Sequence, residues 1–221
     1  MTEEMWRTWG HRTHMRRQLR NWRFSPLRWI RFNLACIERV RELIDDVRCH
    51  RFLHRLERLS GRTALAALRL EPSVEEFGVT AAIGELWRRR DDPLRGAKIA
   101  AARAVLTAKL HTLATSEMVA LAVGRWRYGE YEERRSHCAF LRDIYGNPFR
   151  PVTFSTEWRT GTTTAIARQM YESRDFGAMP ILADAIQDAG CDSDDILAHC
   201  RDPQQVHVRG CWVVDLVLGK E

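Results

Sequence analysis

Five residues near the C-terminus carry the side chains best suited to chemistry: Cys191, His199, Cys200, His207 and Cys211. Three thiols and two imidazoles within so short a stretch are good ligands for Zn²⁺. Their spacing is C-x7-HC-x6-H-x3-C, in which only His207-x3-Cys211 has the separation of a usual zinc knuckle. His199 and Cys200 are consecutive, and consecutive residues on a helix point about 100° apart, so the two do not both reach one ion. The set that the sequence favours for a metal is therefore Cys191, Cys200, His207 and Cys211, with zinc as the only cofactor suggested. The competing reading makes the cysteines small buried hydrophobes and the histidines helix-end residues. A Cys–His nucleophile pair would need a base and an oxyanion site beside the thiol, and no local motif supplies them. Asp184 and Asp188 share a helix face at i, i+4, but no EF-hand loop accompanies them. The chain contains no P-loop, GxGxxG, HExxH or GxSxG pattern. No catalytic residue is nominated, and the expectation is a protein that is not an enzyme.

A second constellation lies at the N-terminus, where Arg12, Arg16, Arg17, Arg20 and Arg23 alternate with Trp9 and Trp22. Guanidinium groups neutralise phosphates and indoles stack on bases, so this face is the candidate nucleic-acid surface. The alternative is an amphipathic helix whose Trp residues join the core while the Arg stems run around it.

These residues must be positioned by helices. Ser25-Pro26 is an N-cap followed by Pro at N1, and the apolar positions Leu27, Ile30, Leu34, Ile37 and Ile44 then keep a period near 3.6. Asp45-Asp46 either break this helix or cap a following one that runs through Leu59, and Ser60-Gly61 ends that one, so an αα-hairpin is expected. Thr63–Leu70 favours helix, and Ser73 with Glu76 has the spacing of a capping box. Asp92-Pro93 opens the longest pattern, Leu94 to Leu113, whose alanines allow close approach of a neighbour. The run 124–129 (GRWRYG) loosens the pattern before Tyr131–Ile144. In the last third, Thr162–Thr164, Pro180 and Ser193 start three short helices. By periodicity residues 211–218 (CWVVDLVL) fit a buried strand or a buried helix; helix is favoured, with Asp215 as its one wet position and Gly219 at C′. The fold class is all-α: a bundle-like N-terminal body over residues 1–145 and a compact set of short helices over 146–221. The two meet at the apolar corner 140–154, where Phe149 is expected to be largely buried.

The 221 residues hold 45% hydrophobic side chains, enough for a core without staples. Six scattered cysteines with no CxxC pair, and no export signal, imply reduced thiols and a cytoplasmic location. No apolar run is long enough for a membrane span. The net charge of +6 is uneven. Residues 1–62 carry 15 Arg against 7 acids, and residues 171–221 carry 4 basic side chains against 10 acids. Complementary faces of this kind suit a protein partner, or a polyanion at the basic end.

The runs LRDIYGNPFRPV (141–152), MPILADAIQDAGCDSDDILAHCR (179–201) and HVRGCWVVDLVLGK (207–220) resemble a group of uncharacterised small intracellular bacterial proteins. So, more loosely, do the Thr2-Glu3-Glu4 start with Trp6 and the Leu34-Ala35-Cys36 helix. The resemblance covers most of the chain and is specific over residues 141–220. It implies no established activity and no site residues. The reading of the whole is a non-enzymatic interaction or regulatory protein, with nucleic-acid binding as the alternative and a small zinc module third.

Overall fold

The computed structural model describes residues 2–8, 10, 12–22, 25–59, 74–109, 113–127 and 129–220. Among them the chain is all-α, with twelve α-helices and no strand. We number these α1 (Glu3–Thr8), α2 (Arg12–Trp22), α3 (Pro26–Glu38), α4 (Val47–Glu57), α5 (Val74–Arg88), α6 (Arg95–Thr107), α7 (Ala114–Arg127) and α8 (Glu130–Tyr145). Four short helices follow: α9 (Gly161–Ser173), α10 (Met179–Asp188), α11 (Asp194–Arg201) and α12 (Trp212–Leu218). Among the described residues no helix is long and apolar enough to cross a membrane.

The chain divides into two compact units, and the division differs from the expected 1–145 and 146–221. One unit is Gly10–Cys138; the other joins Met1–Trp9 to Ala139–Glu221. The boundary thus falls inside α8, which runs on without a break because nothing in its sequence stops a helix before Gly146.

In the Gly10–Cys138 unit, Ser25 accepts from the Arg28 amide and Asp46 from the Arg48 amide, so both expected caps form. Helix α3 stops at Glu38 rather than near Ile44, and a 3₁₀ turn follows at Arg41–Leu43. Val40, Leu43 and Ile44 are buried all the same. The apolar period therefore tracked burial across a break in the helix that it could not mark. The alanines Ala97, Ala100, Ala101 and Ala104 of α6 are buried, and α6 packs on α5 and α7. That helix starts two residues after Pro93, with the Asp92 carboxylate accepting from the Leu94 amide, and it ends at Thr107. Helix α7 continues through Gly124 to Arg127, where a looser stretch was expected. The fully buried Trp29, Phe32 and Phe52 anchor this core; each Phe contributes about 2–3 kcal/mol of burial. Residues 60–73, which include the expected helix at 63–70 and the Ser73 cap, lie outside the described residues.

In the other unit, Gly146 takes φ +68° and closes α8, its amide donating to the Arg142 carbonyl. Thr160, not Thr162–Thr164, caps α9 by accepting from the Thr163 amide. Helices α10 to α12 form as expected, with Gly190 and Gly219 at positive φ beyond α10 and α12. Two expectations fail. Asp215 is 1% exposed rather than wet; the partly exposed positions of α12 are Leu216 and Leu218 instead. Phe149 is half-buried rather than largely buried, as are Val152 and Phe154, so of the 140–154 corner only the part up to Tyr145 belongs to the core.

Candidate metal centre

The site is built from three pieces of the C-terminal unit. Asp143 sits in the last turn of α8, between the buried Leu141 and Ile144, and is itself wholly buried. His199 sits in the last turn of α11, a helix whose first turn carries Asp194 and Asp195 and whose last carries His199 and Arg201. That order of charge complements the helix dipole. Ile196, Leu197 and Cys200 fill the buried face of α11, which leaves His199 on a neighbouring direction. The third piece runs from Asp202, the C-cap of α11, to Cys211, the N-cap of α12. It turns tightly, with the Cys211 amide donating to the Val208 carbonyl and Gly210 at φ 104°. This turn brings His207 and Cys211 to the same point.

Four donor atoms converge there: a carboxylate oxygen of Asp143, one nitrogen each of His199 and His207, and Sγ of Cys211, all within 4.8 Å of one another. Asp143 Oδ1 lies 2.9 Å from His207 Nδ1 and 3.3 Å from His199 Nε2. Cys211 Sγ lies 3.3 Å from His199 Nε2 and 3.8 Å from His207 Nδ1. Bonds of the usual zinc lengths place tetrahedral ligands roughly 3.3–3.8 Å apart, so these separations need little adjustment to receive an ion. The second oxygen, Asp143 Oδ2, accepts from the Val208 amide at 2.8 Å, which fixes the carboxylate and leaves Oδ1 facing the centre. Trp212 lies against the His199 ring, with centroids 5.1 Å apart. The side chains of His199 and His207 are 11% and 8% exposed, and Cys211 is wholly buried.

The same distances separate a metal centre from a Cys–His–Asp relay. In a relay the base presents one nitrogen to the nucleophile and the opposite one to the carboxylate. Here His199 turns the same nitrogen, Nε2, to both Cys211 and Asp143, and His207 turns the same Nδ1 to both. The two imidazoles aim at a common point, as ligands do. The electrostatics agree. Burial pushes Asp143 up, but hydrogen bonds from His199 and His207 outweigh it and hold the carboxyl below its usual range. Burial, together with the Asp143 charge, pushes the Cys211 thiol well above its usual value, against weaker opposition from the Val214 and Val213 amides. A neutral, enclosed thiol is a poor nucleophile, whereas a bound metal ion deprotonates a coordinating thiol outright.

Of the sequence-nominated ligands, the structure brings together His207 and Cys211 and leaves out Cys191 and Cys200. Both omitted thiols are buried, and burial pushes Cys200 up to about 12. They take the core role of small hydrophobes. The two ligands missing from the nominated set are His199 and Asp143. Adjacency in a helix allows only one of His199 and Cys200 to face the centre, and it is the imidazole that does. Asp143 is 64 residues from His207 in sequence, and beside Arg142 in Leu141–Tyr145 it carries no local mark of a ligand. Asp184 instead pairs with Arg201 at 2.6 Å. Among the described residues, the Asp143 group is the one set of three or more such side chains close enough to hold an ion.

The N-terminal Arg/Trp residues are dispersed in role. Arg12 is 4% exposed and forms an ion pair with Glu117, so it is not presented to a polyanion. Arg16 is half-buried, its guanidinium 5.6 Å above the ring of the buried Trp29, while Arg17 is exposed. Trp9 and Arg23, and the side chains of Arg20 and Trp22, lie outside the described residues. The chain matches no protein-family model, and it has no significant match among curated proteins or among solved structures.

Proposed function

We propose that this chain is a non-enzymatic protein whose C-terminal unit is a zinc-binding module. In it the ion pins the end of α8, the end of α11 and the 202–211 turn to one another. The observation that carries this reading is the convergence of Asp143, His199, His207 and Cys211 on one buried point. Two imidazoles, a thiolate and a carboxylate form a mixed donor set that suits Zn²⁺ among available divalent ions. Four protein donors complete a tetrahedron and leave no position for water or substrate, which is the arrangement of structural rather than catalytic zinc. A polyanion-binding role for the N-terminus draws less support, because Arg12 is buried against Glu117 and Arg16 lies over Trp29. Six buried free thiols suit a reducing compartment.

Elemental analysis of the full chain, purified without added metal or chelator, tests the proposal. The expected result is about one zinc per chain, with a thermal midpoint that falls when chelator is added. Metal well below stoichiometry, with unfolding unaffected by chelator, would remove the module.

A further inference from the structure

Helix α1 is six residues long, far shorter than the roughly 12–15 residues at which an isolated helix becomes even marginal in water. Docking must hold it. It belongs to the same compact unit as the metal centre, although it lies at the opposite end of the sequence. The contacts that fix it fall on the segment carrying Asp143. The Arg142 Nε donates to the Trp6 carbonyl at 2.8 Å, one residue before the carboxylate ligand. Beyond the ligand, Asn147 Nδ2 and Arg150 Nε both donate to Glu3 Oε1, at 2.9 and 2.8 Å. The Asn147 side chain also accepts from the Phe149 amide, so Glu3 holds a turn that is already braced. Arg150 reaches on to Asp195 at 3.6 Å, in the first turn of the helix that bears His199. Asp143 is therefore carried on a segment that α1 braces directly, and Arg150, held by Glu3, links that segment to the helix of His199, while His207 and Cys211 lie on another piece of chain. Asp143 and Cys211 are wholly buried and His199 and His207 only 11% and 8% exposed, so passage of an ion is eased when these pieces part.

From this arrangement we propose that α1 is a strap that governs metal exchange: docked, it keeps the Asp143 side of the centre closed, and released, it lets the ion pass. The proposal rests on the zinc reading above. A gate differs from a simple brace in its kinetics. Loosening a gate speeds uptake and release together, whereas weakening a brace speeds release alone.

The test uses zinc-loaded full-length chain mixed with excess chelating dye for release, and metal-free chain mixed with zinc for uptake. Glu3→Ala and Arg150→Ala remove a partly exposed ion pair. Each is expected to raise both rates about threefold, in keeping with the modest worth of such pairs. Trp6→Ala, which removes the one buried side chain of α1, is expected to raise both about tenfold or more, because docking of the helix depends on that burial. Glu4→Ala, on the exposed side of α1, leaves both rates as they are. Should Trp6→Ala fail to fold, the two surface variants decide. Folded, zinc-binding Glu3→Ala and Arg150→Ala chains with wild-type rates overturn the strap, as does faster release with unchanged uptake. A wild-type chain that holds no zinc overturns the zinc reading itself and the strap with it, and that failure is distinct from the other two.

Discussion

Replacing Asp143 with Asn is expected to reduce zinc affinity by about 100-fold or more. An apparent binding free energy of about 10–16 kcal/mol, shared among four ligands, assigns each roughly 3 kcal/mol or above. The substitution keeps the shape of the side chain and an oxygen able to accept from the Val208 amide, 2.8 Å from Asp143 Oδ2. It removes the charge and the ligand. Asp143→Ala removes the acceptor as well and leaves the Val208 amide unsatisfied inside the protein, adding about 1–3 kcal/mol of destabilisation even without metal. The pair of variants separates the two roles of the carboxylate. Competition with a chelating dye reads the affinity, and urea unfolding in excess chelator reads the remaining stability. Asn is expected to lose part of the stability in chelator, through the hydrogen bonds from His199 and His207, and to fall far below wild type in zinc; Ala loses more in chelator, because the Val208 amide is also left unpaired. A zinc affinity for Asp143→Asn equal to that of wild type would exclude the carboxylate from the centre.

The second large effect is expected at Gly146. Its φ of +68° lies in the left-handed region, where an L side chain costs roughly 1–2 kcal/mol. A Cβ placed there would also meet the Trp212 ring at 3.2 Å, closer than ordinary contact. Relieving that overlap costs about 1–3 kcal/mol more. Gly146→Ala is thus expected to destabilise the C-terminal unit by about 2–5 kcal/mol, measured as a shift of the urea midpoint. The strain would press on Trp212, which lies between Cys211 and the rest of α12 and packs, tilted, against the His199 ring. Zinc is expected to restore part of the loss, because binding to the native state stabilises it by mass action. A change below about 0.5 kcal/mol, the range of an ordinary surface substitution, would contradict the account of this corner.

Gly146 also illustrates what was legible. The helix stop at Gly146, the caps at Ser25 and Asp46 and the left-handed glycines at 190 and 219 are local events, decided by one or two residues and their neighbours. Sequence reading recovers such events. The end of α3 at Glu38 has no such signal, since Glu38, Arg39, Val40 and Arg41 contain neither Gly nor Pro. The apolar period there predicted burial correctly and helix continuity wrongly. Asp215 misleads for a related reason: the partly exposed positions of α12 are Leu216 and Leu218, because the packed neighbours and not the polarity of one residue decide which side of an apolar helix faces outward.

The candidate site divides along the same line. His207-x3-Cys211 is a local signal and was found. Choosing between His199 and Cys200 needed the facing of α11, which the burial of Ile196, Leu197 and Cys200 decides. Asp143 required knowing that the end of α8 meets the turn before α12, a tertiary fact that spacing cannot hold. Cys191 and Cys200 were included on ligand type alone, and type without geometry describes a buried thiol in a core equally well.

Cobalt substitution tests the central claim most directly. Full-length chain loaded with one equivalent of Co²⁺ in place of zinc is predicted to show the intense visible bands of four-coordinate cobalt and a near-ultraviolet thiolate charge-transfer band. The charge-transfer band is predicted to vanish in Cys211→Ser and to persist in Cys200→Ser and Cys191→Ser. Weak bands of six-coordinate cobalt, or a thiolate band that survives in Cys211→Ser, would contradict a centre built from Asp143, His199, His207 and Cys211.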